Sequence, residues 1–425
     1  MPMKIIRIPE QTPGYDEPVN DFLHVIDTPQ MQRLREVNQL DLIYKVFPGA
    51  KHSRFEHSVG TLHHERNILD SIGFNDCYQF SETEKKTLNL AALLHDSGHP
   101  PFSHAVEFVL MAFGEPDHDK KVLDVIEHLE PRIKSIHGID YEMLKDVFKR
   151  KNPTWQTIWG LVGSDVLDYI NRDANRCGVS IDSDSNRIET YAVFDGKSYG
   201  IDTKVLKVVR KHLQSYIFMY LEIYNRKACS MWKGVIRRGV YDAIENGGLK
   251  PKEIWEMTDD ELKHSLRSSG GTANKVYQRT RDRVKSETFL SLKIEGQESN
   301  EEIKRKPIRI QGMPESELMK IAEYFENIQK IIEFEESMES EFGLEPGDVT
   351  VAEMPHIKML EPNDIPLYDT ERGWTSLYKK IPKTKEDVML EIKREYAFRV
   401  GVIPEFRRKA FKNSQRVLDV LQSFY

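Results

Sequence analysis

Residues 93–104 of the chain are Leu93-Leu94-His95-Asp96-Ser97-Gly98-His99-Pro100-Pro101-Phe102-Ser103-His104. The apolar run before them begins after Ser81, and Glu84 follows three residues later, which is the spacing of a helix capping box. This run predicts a buried helix, and Gly98 and Pro100 predict that it ends just after the His-Asp pair. An imidazole next to a carboxylate at the end of a rigid helix is typical of a divalent metal site. For the pair alone, a structural histidine held by its neighbour is the alternative.

Further metal-ligand residues lie on both sides of this stretch. His57 stands at the start of a predicted helix that runs from Ser53 to Gly73, and Asp165 stands on a predicted helix over 159–176. Two imidazoles and two carboxylates suit Fe, Mn, Ni, Co or Zn and leave positions for water or phosphate. Each residue taken singly is more often structural. The ordered set nevertheless predicts a metal site with the ligands His57, His95, Asp96 and Asp165.

The composition limits the classes of function. The 425 residues carry a net charge of -7, which gives no bulk electrostatic case for binding nucleic acid or membrane. The three cysteines are scattered and fit no zinc pattern, so we expect a reduced, cytoplasmic compartment. The N-terminus does not read as a signal peptide, and no apolar run approaches the ~20 residues that span a bilayer. Most of the 14 histidines lie between His52 and His137, which locates the chemistry.

The dominant hydrophobic period is helical, and strand signals are confined to 181–200, around Asp195-Gly196, and to 285–312. We therefore expect a mostly α fold with a helical core over residues 20–180, a small β-hairpin and a mixed α/β C-terminal lobe. The predicted division is 1–245 for the catalytic part and 246–425 for an oligomerisation or regulatory part. The basic run Lys304-Arg305-Lys306 is interpreted as solvated surface, with nucleic-acid binding as the alternative.

The order His57, His95-Asp96, Asp165 is the H…HD…D pattern, by which the chain resembles the HD-domain phosphohydrolases. Three flanking segments are more specific: Val46-Phe47-Pro48-Gly49-Ala50, Arg54-Phe55-Glu56-His57-Ser58 and residues 95–104. They resemble the deoxynucleoside triphosphate (dNTP) triphosphohydrolases, the dGTPase-like branch that includes the animal enzyme with a SAM domain ahead of its HD domain. The resemblance runs from about Lys4 to Cys229. It implies an HD helical core covered by helices from residue 200 onwards.

The resemblance also implies roles for residues around the metal site. It implies catalytic residues that bind phosphate and handle a proton, namely His99, His104, Glu107 and His118. It implies that Arg54 contacts phosphate and that Gln39 and Asp173 bind the sugar 3′-hydroxyl. The implied wall against a ribose 2′-hydroxyl consists of Leu40, Tyr169 and Tyr224. Asp168 and Tyr220 share helix faces with these residues and complete the predicted substrate-binding set. For the tyrosines, a core or interface stripe is the default interpretation.

The predicted function is metal-dependent hydrolysis of dNTPs to deoxynucleoside and inorganic triphosphate, with Mg accompanying the substrate. One alternative is an HD-type nucleotidase or phosphodiesterase that acts on another nucleotide. A second is a nucleotide-sensing protein that binds nucleic acid, which the net negative charge does not favour. The resemblance implies a homo-oligomer, a dimer or tetramer. The net charge and the absence of a long apolar run predict no membrane partner.

Four residues near the N-terminus resemble the set with which relatives bind a guanine nucleotide away from the active site. They are Lys4, Asp27, Gln32 and Arg35. A carboxylate suits the guanine N1 and N2 hydrogens, and the two cations suit the phosphates. The alternative is that Asp27 caps a helix and that Gln32 and Arg35 form a solvated face. The expectation is that GTP or a dNTP activates the enzyme by stabilising an oligomer.

Overall fold

The computed structural model describes residues 5–8, 15–75, 77–297, 307–354 and 363–424. Most of these residues are helical and the sheets are small, which confirms the predicted fold class. Within the described ranges, no helix is both long enough and apolar enough to cross a bilayer.

The helical core follows the predicted span. Its helices are α1 (Leu23–Ile26), α2 (Pro29–Arg33), α3 (Arg54–Phe74), α4 (Glu82–Leu94), α5 (Ser103–Ala112), α6 (His118–His128), α7 (Glu130–Lys134), α8 (Tyr141–Phe148), α9 (Trp155–Ile158) and α10 (Ser164–Cys177). Helix α3 packs against both α4 and α10, so the three helices that carry the predicted metal ligands are neighbours.

The remaining helices cover this core and form the C-terminal part. They are α11 (Ser185–Thr190), α12 (Leu206–Met219), α13 (Lys227–Glu245), α14 (Pro251–Ile254), α15 (Asp259–Ser268), α16 (Gly271–Arg281), α17 (Glu315–Tyr324), α18 (Ile328–Phe342), α19 (Leu377–Lys380), α20 (Pro382–Glu395), α21 (Arg407–Lys412) and α22 (Ser414–Gln422). A π-helical turn, Tyr220–Tyr224, joins α12 to the segment before α13. One hydrophobic core extends from the helical part into the C-terminal part.

Local sequence explains where the helices around the site begin and end. The capping box of Ser81 and Glu84 starts α4 as predicted, and Gly178 ends α10 with a left-handed φ of 71°. Two boundaries differ from the prediction. Helix α10 begins at Ser164 rather than at 159, because the backbone of Gly163 is extended, with a ψ of 164°. Helix α5 begins two residues after Pro101, because Phe102 adopts a left-handed φ of 51°.

Three sheets complete the fold. The strands are β1 (Ile5–Ile8), β2 (Tyr15–Pro18), β3 (Ala192–Phe194), β4 (Tyr199–Asp202), β5 (Glu287–Ile294), β6 (Arg309–Met313), β7 (Val349–Val351), β8 (Pro366–Asp369), β9 (Gly373–Ser376) and β10 (Ala397–Val402). The antiparallel β1–β2 pair was not predicted, whereas the β3–β4 hairpin turns at Asp195-Gly196 as expected.

The two larger sheets tie the C-terminal part to the core. One has the order β3-β4-β8-β9, and β4 pairs with β8 in parallel. The other has the order β6-β5-β10-β7, and β7 packs against α13. These contacts cross the predicted division at residue 245. The basic run at 304–306 lies outside the described residues.

Candidate active site

Three helix ends bring the predicted metal ligands together. His57 lies in the first turn of α3, where the Ser53 hydroxyl accepts from the Glu56 amide and caps the helix. His95 and Asp96 follow directly after the last residue of α4, and Asp165 lies in the first turn of α10. All four side chains are buried or nearly so. We call His57, His95, Asp96 and Asp165 the metal cluster.

The donor atoms of the metal cluster converge on one point. The Nε2 atoms of His57 and His95 are 3.1 Å apart, and His57 Nε2 is 3.1 Å from Asp165 Oδ1. Asp96 lies 3.5 Å from His57 Nε2 and 3.4 Å from His95 Nε2 through its two oxygens. Ligands held about 2.1 Å from one ion are spaced by roughly 3.0–3.4 Å, so these separations match the edges of a coordination polyhedron.

The protonation pattern of the two imidazoles supports a cation at that point. His57 Nδ1 donates to Asp168 Oδ2 at 2.7 Å, and His95 Nδ1 donates to the Ala92 carbonyl oxygen at 2.7 Å. In the neutral tautomers, both Nε2 atoms therefore direct lone pairs at the same point as the carboxylates. Burial alone would lower the pKa of His57, but its hydrogen bonds to Asp165 and Asp168 raise it to about 10. The cluster thus favours positive charge at its centre, and the residues fit a divalent metal.

Asp168 stands behind His57 and not in the cavity, so its predicted substrate contact is wrong. Arg172 donates to its two oxygens at 2.9 and 2.6 Å, and both side chains are fully buried. The aspartate bridges a metal ligand and a buried guanidinium, a role that fixes the ring orientation of His57. Gly60 permits this packing, because a Cβ there would lie 1.7 Å from Asp168 Oδ1. The shared helix face identified Asp168 but could not tell which neighbour it contacts.

Arg54 links the metal cluster to the loop before α5. Its guanidinium donates to Asp96 Oδ2 at 2.5 Å and to the Ser103 hydroxyl at 2.8 and 2.6 Å. Burial alone would raise the pKa of Asp96, but Arg54, His95 and His99 hold it well below its usual range. Arg54 also lines the cavity, where a guanidinium suits a phosphate oxygen.

A second group of side chains lies beside the metal cluster. We call His99, His104, Glu107 and His118 the relay cluster. His104 Nδ1 and His118 Nδ1 each donate to one oxygen of Glu107, at 2.8 and 2.7 Å. Burial alone would raise the pKa of Glu107, but these two hydrogen bonds lower it well below its usual range. The His104 side chain is 57% exposed, so an imidazole anchored at Nδ1 presents Nε2 to the cavity.

His99 connects the two clusters. Its Nε2 donates to Asp96 Oδ1 at 3.2 Å, and its ring stacks on that of His118 with centroids 4.0 Å apart. Burial and the charges of Arg54 and His118 lower the pKa of His99, so its imidazole is neutral at physiological pH. The neutral His99 ring therefore couples the positions of Asp96 and His118 without adding a charge between the two clusters.

The predicted sugar contacts lie at another side of the same space. Asp173 accepts hydrogen bonds from the Tyr224 hydroxyl at 2.6 Å and from His52 Nε2 at 2.7 Å. The Tyr169 and Tyr224 rings are 6.3 Å apart, and the π-helical turn places Tyr220 next to Tyr224. The Gln39 Oε1 atom is buried without a hydrogen-bond partner among the described residues. His52 was not assigned, because nothing in the sequence shows that it reaches a residue 121 positions away.

A cavity of about 480 Å³ connects these groups. The predicted residues that line it are Gln39, Leu40, Arg54, His57, His95, Asp96, His99, His104, His118, Asp165, Tyr169, Asp173, Tyr220 and Tyr224. Glu107 does not line the cavity but accepts hydrogen bonds from two histidines that do, His104 and His118. Lining residues without a predicted role include Asp41, Arg150 and Lys233.

Comparison with known proteins agrees with this geometry. Residues 54–172 match the HD domain, and residues 183–314 match the HD-associated region. The chain therefore contains an HD domain followed by an HD-associated region. The metal cluster and the relay cluster fall within the matched HD domain. The cavity residues outside the matched range include Gln39, Leu40, Asp41, Asp173, Tyr220, Tyr224 and Lys233.

Individual relatives of the HD-domain chain match over part of their length. An uncharacterised protein of Methanocaldococcus jannaschii is 29% identical over 252 residues, 58% of this chain and 52% of that protein. Deoxynucleoside triphosphate triphosphohydrolase SAMHD1 of Homo sapiens is 37% identical over 132 residues, 30% of this chain and 21% of that protein. The chain thus spans about half the length of the first curated relatives it matches.

A solved phosphohydrolase from Bacteroides thetaiotaomicron superposes with a TM-score of 0.71 over 94% of this chain and 100% of that chain. At 17% sequence identity, this likeness shows the fold alone. It confirms that the HD-domain core and the C-terminal part together form an arrangement found in another protein.

The predicted effector residues are only partly described. Lys4 lies outside the described residues. Thr28, and not Asp27, caps α2 through its side chain. Gln32 donates to the Ile26 carbonyl oxygen and accepts from Arg35 Nε at 2.9 Å, and Arg35 stacks on Phe55. The effector site of this HD-domain protein stays a prediction.

Proposed function

We propose that the protein is a metal-dependent dNTP triphosphohydrolase that releases deoxynucleoside and inorganic triphosphate. The observation that carries this proposal is that one cavity holds a metal cluster, an anchored relay cluster and a carboxylate fixed by His52 and Tyr224. A phosphate ester, a leaving-group oxygen and a sugar hydroxyl are the groups that these three features suit. When bound, the divalent ion supplies a Lewis acid and favours deprotonation of a water.

The residues of the chain supply the remaining steps. Arg54 holds a phosphate oxygen by charge-assisted hydrogen bonds, and Asp173 accepts from the 3′-hydroxyl. Water attacks the α-phosphorus, the bond from phosphorus to O5′ breaks, and O5′ must gain a proton. His104, anchored through Nδ1 by Glu107, is placed to give that proton from Nε2. The attacking water loses its proton to solvent or to the same cluster, which restores the relay.

Exclusion of a ribose hydroxyl follows from the aromatic wall. Tyr224 is held by its bond to Asp173, so a 2′-hydroxyl would meet a ring that cannot move away. In Tyr224→Ala, the ratio of kcat/KM for dATP over ATP should fall about tenfold or more. Tyr224→Phe keeps the ring and removes the hydrogen bond, so it should retain most of the discrimination. Equal ratios in wild type and Tyr224→Ala would remove Tyr224 from the wall.

The decisive assay separates the products of purified protein with each dNTP by anion exchange. Inorganic triphosphate and deoxynucleoside as the paired products support the proposal. Nucleoside monophosphate with pyrophosphate, or activity confined to other nucleotides, would favour the HD-type nucleotidase or phosphodiesterase. The exposure of the His104 side chain favours this alternative, because the relay cluster is then accessible to leaving groups other than a nucleoside.

We further propose that a guanine nucleotide or dNTP activates the enzyme within a homo-oligomer, at a site that includes Asp27, Gln32 and Arg35. The carboxylate, amide and guanidinium on this short segment support the proposal by their chemistry alone. Initial rates on one dNTP with and without GTP, in wild type and Asp27→Ala, test it together with light scattering. Full basal activity in a monomer that no nucleotide alters would overturn it.

A further inference from the structure

Asp41 occupies a strained turn in the wall of the catalytic cavity. The turn spans Leu40 to Ile43 and is closed by the Ile43 amide, which donates to the Leu40 carbonyl oxygen at 2.8 Å. Asp41 has a φ of 45°, in the left-handed region that glycine adopts freely and that aspartate tolerates at a cost. A glycine would satisfy this turn equally well. The aspartate side chain therefore calls for an explanation of its own.

The carboxyl group of Asp41 adds a second cost. The residue is only 5% exposed, and its Oδ1 atom is buried without a hydrogen-bond partner among the described residues. Burial raises the pKa of Asp41 to about 6, against the opposing charges of Lys233, His104 and Arg54. An unpartnered buried carboxylate oxygen destabilises the free protein. Because Asp41 faces the cavity and carries both costs, we expect a bound ligand to supply the hydrogen-bond donor for its carboxylate.

Lys233 provides a donor next to this acceptor. It lies on α13, lines the same cavity, and its Nζ is 2.8 Å from Glu353 Oε2. Glu353 is itself fixed by its backbone amide, which donates to the Ser230 carbonyl oxygen at 3.2 Å. Burial alone would lower the pKa of Lys233, but Glu353 and Asp41 raise it, so the ammonium keeps its charge. An ammonium has three donors, and Glu353 occupies one of them.

This inference rests on the proposed function, because it assigns these two residues to the third part of a dNTP. The metal cluster, Arg54 and the relay cluster account for the phosphates, and Asp173 accounts for the sugar. Asp41, which is buried, and Lys233, whose side chain is 12% exposed, are further charged groups of the cavity wall, and they form an acceptor beside a donor. The edge of a nucleobase can present the complementary pair, a donor for Asp41 and an acceptor for Lys233.

We propose that Asp41 and Lys233 read the base and select guanine. Guanine alone presents two adjacent donors, N1–H and the N2 amine, which match the two oxygens of one carboxylate. Lys233 donates to the neighbouring O6. The other three bases offer Asp41 one donor at most in this alignment, so dGTP is the preferred substrate.

The test compares dGTP with dITP, which lacks only the 2-amine. In wild type, kcat/KM for dGTP should exceed that for dITP by about 10- to 100-fold, the value of one hydrogen bond to a charged acceptor. Asp41→Asn and Asp41→Gly should both abolish this ratio, and the glycine variant should show no fall in Tm because it relaxes the turn. Asp119→Asn, at an exposed carboxylate of the same cavity, should keep the ratio.

The outcomes separate this inference from the proposed function. Hydrolysis of dNTPs with equal rates for dGTP and dITP, or with a ratio that survives in both Asp41 variants, overturns the guanine contact and leaves the function standing. Hydrolysis of no dNTP by wild type overturns the proposed function. In that case equilibrium binding of dGTP and dITP decides the inference. Tighter binding of dGTP that Asp41→Asn removes supports the contact, and equal binding overturns it.

Discussion

The metal cluster and the relay cluster are both built from histidines and carboxylates. All four relay residues bring their donor atoms within 4.8 Å of one another, as do His57, His95 and Asp96 of the metal cluster. They differ in where the carboxylates lie. In the metal cluster, both imidazoles are anchored from outside, His57 by Asp168 and His95 by Ala92, so their Nε2 atoms converge. In the relay cluster, Glu107 occupies the centre and takes the Nδ1 proton of both His104 and His118.

The difference shows that composition does not decide the chemistry of a histidine cluster. A carboxylate behind an imidazole turns the lone pair of the far nitrogen towards a cation. A carboxylate between two imidazoles holds their protons and sends the far nitrogens outward, where they exchange protons with a substrate. The first arrangement suits a metal, and the second suits proton transfer.

Removing a carboxylate from the metal cluster should have the largest effect. Asp96→Ala should lower kcat by about 10³-fold or more and reduce the bound metal towards zero, because the site loses a charged ligand. Metal content by mass spectrometry and product formation are measured on the same preparation. Asp119→Asn removes a carboxylate from the same cavity wall outside both clusters, and it should keep its metal. An Asp96→Ala protein with full metal content would contradict the assignment.

Breaking the relay cluster should separate turnover from metal binding. His104→Ala should lower kcat by about 10²- to 10⁴-fold, the usual contribution of a general acid, with unchanged metal content. His128→Ala, at an exposed histidine on α6, serves as the matched control and should change neither quantity. Wild-type turnover in His104→Ala would show that another group protonates the leaving oxygen. Loss of metal would show that the two clusters are not independent.

Weakening the anchor behind His57 should give a defect that added metal corrects. Asp168→Asn keeps the shape of the side chain but removes the charge that orients His57, so metal affinity should fall about 10- to 100-fold. Activity should return as the metal concentration rises. The defect of His104→Ala should not respond to metal, which makes the pair of titrations diagnostic. An Asp168→Asn protein that excess metal fails to restore would place Asp168 in the chemistry rather than behind it.

Much of the metal cluster could be predicted because its ligands lie in short segments whose local sequence determines where each helix begins or ends. The capping box at Ser81 and the breakers Gly98 and Pro100 fix where α4 ends, and that end positions His95 and Asp96. Helix periodicity likewise placed Asp165 and Asp168 on α10. Periodicity gives the face of a helix but not the neighbour on that face, so the contact from Asp168 to His57 was missed.

The other side of the cavity depends on contacts that no local pattern contains. Asp41, Lys233 and Glu353 come from segments about 190 and 120 residues apart, and β7 must pack on α13 before Glu353 meets Lys233. The left-handed backbone of Asp41 also has no signature, because aspartate is common in ordinary turns. The sheet that joins β4 to β8 escaped prediction for the same reason.

The smallest predicted effect concerns a carboxylate that neither cluster uses. Glu65 lies on α3, eight residues after His57, and is completely buried. Its hydrogen-bond donor is the Thr157 hydroxyl, at 2.6 Å, rather than a cation. Burial raises the pKa of Glu65 to about 7, whereas cations and imidazoles lower the pKa of Asp96 and Glu107. Glu65 therefore shows what a buried acid of this fold does without a positive partner.

A raised pKa means that the folded state binds a proton which the unfolded state releases above about pH 4.3. The stability contributed by the protonated acid is thus present at low pH and is lost as the pH rises towards about 7. In unfolding free energy, Glu65→Gln should gain about 1–3 kcal/mol on wild type between pH 5 and pH 8. Glu391→Gln, at an exposed position, should give no such pH-dependent difference. Parallel denaturant titrations at both pH values decide the matter, and an advantage of Glu65→Gln that is equal at pH 5 and pH 8 would show that Glu65 does not carry the raised pKa.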